Sequence, residues 1–176
     1  MKKVVYSLAL LFSTACTHQP IVIERVPFKL SEFANLARTG DATVTGQAYI
    51  KTANGRIHYP ENVDVRLNPK TSYSTQWYEV NYLGKQNISD ADPRYLEYVY
   101  KVPVGNEGRF SFNNIPAGDY YISAPVFWFE KIPKEDGSIL LQRRGSFICY
   151  ELHVDKGNTV VANITTEQAV KVASSL

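Results

Sequence analysis

This sequence has few side chains of the kinds that bind metals or carry out thiol chemistry. Its 176 residues include two cysteines, three histidines and one methionine. The histidines, His18, His58 and His153, are not at the spacing typical of metal ligands, so we expect no metal and no other cofactor. Cys149 falls in an apolar segment, which favours a buried small side chain over a reactive thiol.

The sequence also lacks an excess of charge of one sign and a long apolar run. The chain has 19 Lys and Arg residues against 17 Asp and Glu residues. Beyond the first three residues, its one adjacent basic pair, Arg143-Arg144, falls short of the basic cluster that a nucleic acid requires. The apolar run in residues 4–12 covers about nine residues, whereas a membrane-spanning helix needs roughly 20. We expect neither a nucleic-acid partner nor a transmembrane helix.

Sequence signatures of catalysis are missing as well. The chain has no Gly-x-Ser-x-Gly turn, no phosphate-binding loop and no cysteine-histidine nucleophile signature. We therefore predict that the protein is not an enzyme.

The first residues have the organisation of a secretory signal peptide. Lys2 and Lys3 precede the apolar residues 4–12, and small residues lead up to Cys16. Because a cysteine follows the small residues, the segment resembles a bacterial lipoprotein signal, which implies cleavage before Cys16 and attachment of lipid, palmitate included, to that cysteine. Thr17 in the next position resembles outer-membrane sorting. We predict a signal peptide over residues 1–15 and a lipid anchor at Cys16 on the periplasmic face of the outer membrane. The alternative is an uncleaved N-terminal helix, which would leave Cys16 unexplained.

Cleavage would change the charge and cysteine content of the chain. Removal of residues 1–15 takes away Lys2 and Lys3 and no acid, which leaves 17 basic and 17 acidic residues. Cys149 would then have no disulfide partner. Residues 16–42 are predicted to form a lipidated tether with a short helix, capped by Ser31 and ended by Gly40. The apolar residues 21–23 could dock on the domain as an extra strand.

From residue 43 onward the hydrophobic pattern alternates with a period of two, which is typical of half-buried strands. Asn54-Gly55 predicts a tight turn. A helical insertion over residues 71–95, capped by Ser74, interrupts the pattern. Further strands are expected at 98–104, 109–112, 119–124, 139–141, 147–154 and 159–164, followed by a C-terminal tail over residues 166–176. Seven or eight short strands at this spacing predict a β-sandwich.

One segment has a family resemblance. Residues 108–122, Gly-Arg-Phe-Ser-Phe-Asn-Asn-Ile-Pro-Ala-Gly-Asp-Tyr-Tyr-Ile, resemble the signature of the carboxypeptidase regulatory-like domain. In that segment Gly108 permits a left-handed turn, and Phe110 and Phe112 point into the core. The resemblance covers residues 43–165. It implies an all-β, transthyretin-like (prealbumin-like) Greek-key sandwich of seven to eight strands with a short helical insertion, and an accessory rather than a catalytic role.

The aromatic residues indicate where a partner would bind. If Pro125 introduces no bulge, the even-numbered residues from 120 to 128 share the core face of their strand, and Tyr121, Phe127 and Phe129 face outward. Two interpretations remain open: a second small core under the helical insertion, or an aromatic surface for a partner. The candidate surface consists of Trp77, Tyr78, Tyr82, Phe127 and Phe129.

These observations lead to a functional hypothesis. We expect a non-catalytic, lipid-anchored envelope module that mediates protein–protein interaction in the periplasm. Type VI secretion systems contain a lipoprotein with a transthyretin-like sandwich, so an accessory role in a secretion or envelope complex is an analogy at the level of fold. The alternative is binding of a glycan or small ligand through the aromatic surface.

Overall fold

Alternating apolar residues build two β-sheets that pack face to face. The computed structural model describes residues 21–174, so the predicted signal peptide, Cys16 and Thr17 lie outside the described residues. Eleven strands are present in the described part: β1 Val22–Ile23, β2 Ala42–Gln47, β3 Ile50–Lys51, β4 Ile57–His58, β5 Asp64–Pro69, β6 Asn87–Ile88, β7 Tyr100–Pro103, β8 Arg109–Ile115, β9 Gly118–Pro133, β10 Ile139–Val154 and β11 Thr159–Val161.

Seven of these strands form the sandwich. One sheet has the order β10-β9-β5-β7 and the other the order β11-β2-β8, with β11 parallel to β2. Side chains from both sheets fill the space between them, among them the fully buried Val44, Val65, Leu67 and Ile122. The all-β sandwich expected from the alternation is confirmed, and β5 and β8 bury alternate residues as predicted.

The loop before β8 depends on a glycine. Gly108 has a φ of +73°, and a Cβ at this position would lie 2.1 Å from the Ala48 carbonyl oxygen. A side chain is therefore excluded both by conformation and by the close approach of the backbone. After β8, the Tyr120 hydroxyl donates a 2.8 Å hydrogen bond to the Pro116 carbonyl and fixes the second turn.

Strands β9 and β10 form one long hairpin. They pair without a register shift over all 16 residues of each strand, and Pro125 lies opposite Phe147 with no bulge. The sequence predicted separate, shorter strands here, which was wrong. Strand β5 pairs with β9 only at residues 120–123 of β9. The part of the hairpin over residues 127–145 extends beyond that pairing and is here named the arm. At the end of the arm Gly145 has a φ of +107°, and a Cβ there would lie 2.0 Å from the Val126 carbonyl oxygen.

The helical insertion covers the outer face of the four-stranded sheet. An α-helix, α2 (Ser72–Gln76), continues as a π-helix over Trp77–Leu83. Thr71 is the N-cap and forms a reciprocal capping box with Ser74, so the predicted cap at Ser74 was wrong. The Thr71 hydroxyl accepts a bond from the N3 amide one turn into the helix, which is the position that Ser74 occupies. A 3₁₀ segment, Pro93–Tyr98, follows the insertion.

The segment before β2 is fastened to the insertion. Strand β1 pairs in parallel with β6, so the expected docking of residues 21–23 as an extra strand is confirmed. A one-turn helix, α1, spans Leu30–Ala34 with Lys29 at its N-cap and no side-chain cap, so the predicted cap at Ser31 was wrong. The Glu32 carboxylate instead accepts hydrogen bonds from the Ser72 amide at 3.0 Å and its hydroxyl at 2.8 Å.

The described chain ends in a short helix, α3 (Thr166–Ala173), capped by the Thr165 hydroxyl. Among residues 21–174, no helix combines the length and the apolar character that crossing a membrane requires.

Candidate binding groove

Three of the five predicted surface aromatics lie in a second core. Tyr78 packs with Tyr121 and Cys149, and the partly buried Trp77, Tyr82 and Phe147 surround them. This cluster, here named the insertion core, fills the space between the insertion and the outer face of the sheet. The π-helix explains why Trp77 and Tyr82 both belong to the insertion core. Its hydrogen bonds join residues five apart in sequence, and the ring centroids of Trp77 and Tyr82 lie 6.4 Å apart in a stacked arrangement.

Tyr78 is buried too deeply to present a surface. It is 2% exposed, and its hydroxyl has no hydrogen-bond partner among the described residues. Burial raises the pKa of Tyr78 to about 12. Burial likewise raises the pKa of the neighbouring Cys149 thiol well above its usual range, and this cysteine is the buried small side chain that the sequence predicted.

The other two predicted aromatics lie on the arm, away from the insertion core. Phe129 is 67% exposed, and the Arg143 guanidinium lies 3.8 Å from the centre of the Phe127 ring. The five candidates thus belong to two separate places, and the structure does not combine them into one surface.

A groove opens between the arm and the β3–β4 hairpin. It has a volume of about 870 Å³, which lies within the range of small-molecule sites. Its walls are formed by Thr52, Ala53, Asn54, Arg56 and His58 from the hairpin side, and by Trp128, Phe129, Glu130, Lys131 and Arg144 from the arm. Phe129 is the one predicted surface residue that lies here.

Two of the side chains that line the groove have stacked rings. The His58 imidazole lies parallel to the Trp128 indole, with centroids 3.8 Å apart and planes inclined by 9°. Trp128 also packs against the edge of the main core, so its position is held by the sandwich. The alternation predicted the core side for Trp128 but not its partner, because His58 comes from a hairpin whose position only the tertiary fold determines.

Polar groups surround the rings. The Arg144 Nε donates a 2.8 Å hydrogen bond to the Glu130 carboxylate across the arm. On the opposite wall, Asn54 accepts bonds from the Thr52 hydroxyl at 2.6 Å and the Arg56 amide at 3.2 Å, which hold the predicted Asn54-Gly55 turn. Planar guanidinium, carboxylate and amide groups can pair with neighbouring hydroxyls of a ligand.

His153 lies outside the groove and has two acidic neighbours that the sequence pattern did not predict. Its Nδ1 is 2.7 Å from the Asp119 carboxylate and its Nε2 is 3.3 Å from Asp155. The hydrogen bond with Asp119 raises the pKa of this exposed imidazole above its usual range.

Within the described part of the chain, no group of three His, Cys, Asp or Glu side chains is arranged to hold a metal ion.

Two solved structures are similar to parts of this chain. A candidate carbohydrate-binding protein from Pseudomonas aeruginosa is 26% identical, with a TM-score of 0.65, and the match covers 80% of this chain and 99% of that one. The major pilin subunit of Bacillus cereus is 18% identical with a TM-score of 0.37, and covers 72% of this chain but 30% of the pilin. No protein-family model and no curated protein sequence matches the chain, so the carboxypeptidase regulatory-like resemblance stays a prediction. The chain is thus similar, over most of its length, to a candidate carbohydrate-binding protein.

Proposed function

We propose that the protein is a non-catalytic module of the bacterial envelope, anchored by lipid at Cys16, that binds glycan in the groove. The observation that carries this proposal is the stacked Trp128–His58 pair in a concave surface beside the Arg144–Glu130 pair. A sugar ring has apolar C–H faces and a rim of hydroxyls. It therefore needs a flat ring system together with planar hydrogen-bonding groups.

Two comparisons support the proposal. The similarity to the Pseudomonas protein, described as a candidate carbohydrate-binding protein, covers nearly all of that protein. We also infer that the sandwich is related to carboxypeptidase regulatory-like domains, because residues 108–122 adopt the left-handed turn at Gly108 and the return strand that the resemblance implies. Such domains are accessory modules, which agrees with a binding role.

The test is a glycan array probed with the full chain, followed by titration of the glycan that binds best. Arg144→Gln removes a charged donor and is expected to weaken binding about tenfold, the usual effect of losing a charge-assisted hydrogen bond. His58→Ala removes one ring of the stack and should weaken binding by a similar factor.

Tyr82→Phe is the control, because Tyr82 is an aromatic residue outside the groove. It should bind as the wild type does. If the array detects no glycan, or if Arg144→Gln and Tyr82→Phe bind equally well, the groove is not a glycan site.

A second candidate function is protein binding through the arm, in an accessory role to a secretion or envelope complex. The supporting observation is the exposure of Phe129, Ile139 and Leu141 on the arm, because exposed apolar side chains that lie together mark interaction sites. A photo-crosslinking residue at position 129 should capture an envelope protein in intact cells. The control position is Val161, an exposed apolar residue of the other sheet. Equal crosslinking at both positions would contradict a specific role for the arm.

A further inference from the structure

A smaller cavity lies under the insertion, on the outer face of the four-stranded sheet. Its volume is about 200 Å³, and we name it the sheet pocket. Strands β5 and β9 form its floor, the insertion and the 3₁₀ segment form its sides, and the chain after β1 closes one end. The residues that matter for its chemistry are Arg25, Arg66, Asn68, Trp77, Tyr95 and Ser123.

The floor of the pocket has a serine of β9 paired with an arginine of β5. Arg66 and Ser123 are directly opposite each other on β5 and β9. Ser123 is 2% exposed, and its hydroxyl forms no hydrogen bond to any residue in the described range 21–174. Because Ser123 lines the pocket, its hydroxyl is free to bond with a ligand bound there.

The charges in the pocket have one sign. Arg25 and Arg66 are the only charged residues in its lining, and neither forms an ion pair within residues 21–174. The Arg25 Nε donates to the Ser89 carbonyl at 2.6 Å, which fixes that side chain along the wall. Burial raises the pKa of the Tyr95 phenol, and the two positive charges lower it by a smaller amount. The lining of the pocket therefore carries positive charge and no carboxylate.

The remaining walls are rigid and partly apolar. The Tyr95 hydroxyl donates to the Asn68 side-chain oxygen at 3.1 Å. The Asn68 amide in turn lies 3.4 Å from the Tyr121 carbonyl oxygen, to which it donates. Trp77 and Phe147 meet edge to face at 5.8 Å and supply an apolar wall. The pocket thus combines an anion-binding end with a flat apolar side.

We propose that the sheet pocket binds a single-ring organic carboxylate, with the carboxylate between Arg66 and Ser123 and the ring against Trp77. A carboxylate accepts bonds from both a guanidinium and a hydroxyl, and a cavity of about 200 Å³ limits the ligand to one ring. Such a ligand could be an acidic sugar or a free aromatic acid. The proposal does not depend on the groove, which shares no lining residue with the pocket.

Titration of the full chain by calorimetry and by the NMR signal of the Trp77 indole tests the proposal. The probes are D-glucuronate, its neutral counterpart D-glucose, benzoate and inorganic phosphate. At least one of the two ring carboxylates should bind, with D-glucose at least about tenfold weaker than D-glucuronate where the acidic sugar is the ligand. Tighter binding of D-glucuronate assigns the pocket to acidic sugars, and tighter binding of benzoate assigns it to aromatic acids.

Variants locate the site. Arg66→Gln should weaken binding of the carboxylate about tenfold, and Ser123→Ala several-fold. Arg109→Gln, which changes an exposed arginine on a strand of the other sheet, is the control and should bind the ring carboxylates as the wild type does.

Three results would overturn the proposal. They are the absence of binding by both ring carboxylates, unchanged affinity in Arg66→Gln, and binding of inorganic phosphate as tight as that of the ring carboxylates, which would indicate a general anion site. None of these results would affect glycan binding in the groove.

Discussion

The ring of Tyr78 stacks on the ring of Tyr121, with centroids 4.5 Å apart and planes inclined by 27°. One ring belongs to the π-helix and the other to the outer face of β9, so this contact joins the insertion to the sandwich. The Tyr121 hydroxyl is 3.0 Å from the Thr75 hydroxyl, whereas the Tyr78 hydroxyl has no partner among the described residues. The outer face of the four-stranded sheet therefore has a core of its own, built mainly of aromatic side chains.

This difference between the two hydroxyls predicts opposite effects of the same substitution. Tyr78→Phe removes a buried hydroxyl without a hydrogen bond and should raise the free energy of unfolding by about 1 kcal/mol. Tyr121→Phe loses the bond with Thr75 and should lower it by about 1 kcal/mol. Urea denaturation of both variants measures the two changes. Destabilisation by Tyr78→Phe would show that its hydroxyl is hydrogen-bonded in solution.

The thiol of Cys149 should not react in the folded protein. It is fully buried, and burial raises its pKa, so little thiolate forms and reagents have no access. In a Cys16→Ser variant, where Cys149 is the one remaining cysteine, Ellman's reagent should modify the chain in denaturant and leave it unmodified under native conditions. Rapid native modification would contradict the burial of this side chain.

The environment of His153 makes stability depend on pH. Its pKa is raised above the ordinary 6.5, mainly by the hydrogen bond with Asp119. A raised pKa means that protonation favours the folded state: the contribution is complete below pH 6.5 and is lost as the pH rises through the folded-state pKa. NMR titration should find His153 titrating above 6.5, and Asp119→Asn should lower that value. Loss of the pH dependence in His153→Gln would confirm the source, and titration of His153 below 6.5 would contradict it.

Gly145 should tolerate no side chain. A Cβ would meet the Val126 carbonyl oxygen at 2.0 Å, and the φ of +107° is unfavourable for other residues. Gly145→Ala should lower the free energy of unfolding by about 3 kcal/mol, through strain and backbone displacement. Gly137→Ala is the control, because its φ is +79° with open space around the Cβ, and it should cost about 1 kcal/mol. Equal costs would show that the arm can move away from the added methyl group.

The proposed lipid anchor predicts the behaviour of Cys16→Ser. Without the thiol no acyl chain can be attached, so the variant should lose incorporation of labelled palmitate and leave the membrane fraction. Thr17→Ser keeps the cysteine and serves as the control. Membrane association that is unchanged in Cys16→Ser would contradict the anchor.

The parts of the fold that were predictable depend on local chemistry. Alternation from Val44 to Ile50, the Asn54-Gly55 turn and the turn at Gly108 are each readable within a few residues, because backbone conformation and strand faces follow from neighbours in sequence. The π-helix was not readable in this way. A 3.6-residue period places Trp77 and Tyr82 on different sides, and only the contacts of the insertion with β9 and β10 favour the wider turn.

The candidate sites show the same division. The sequence by itself determined the sandwich, the burial of Cys149 and the alternation that separates Trp128 from Phe127 and Phe129, since these follow from local periodicity. Only the tertiary structure decided that His58 stacks on Trp128, that Phe129 reaches the groove while Tyr78 is buried, and that Arg66 lies beside Ser123. These pairs are brought together by strand register and by the packing of the insertion, and such long-range contacts have no signature in the spacing of a single chain.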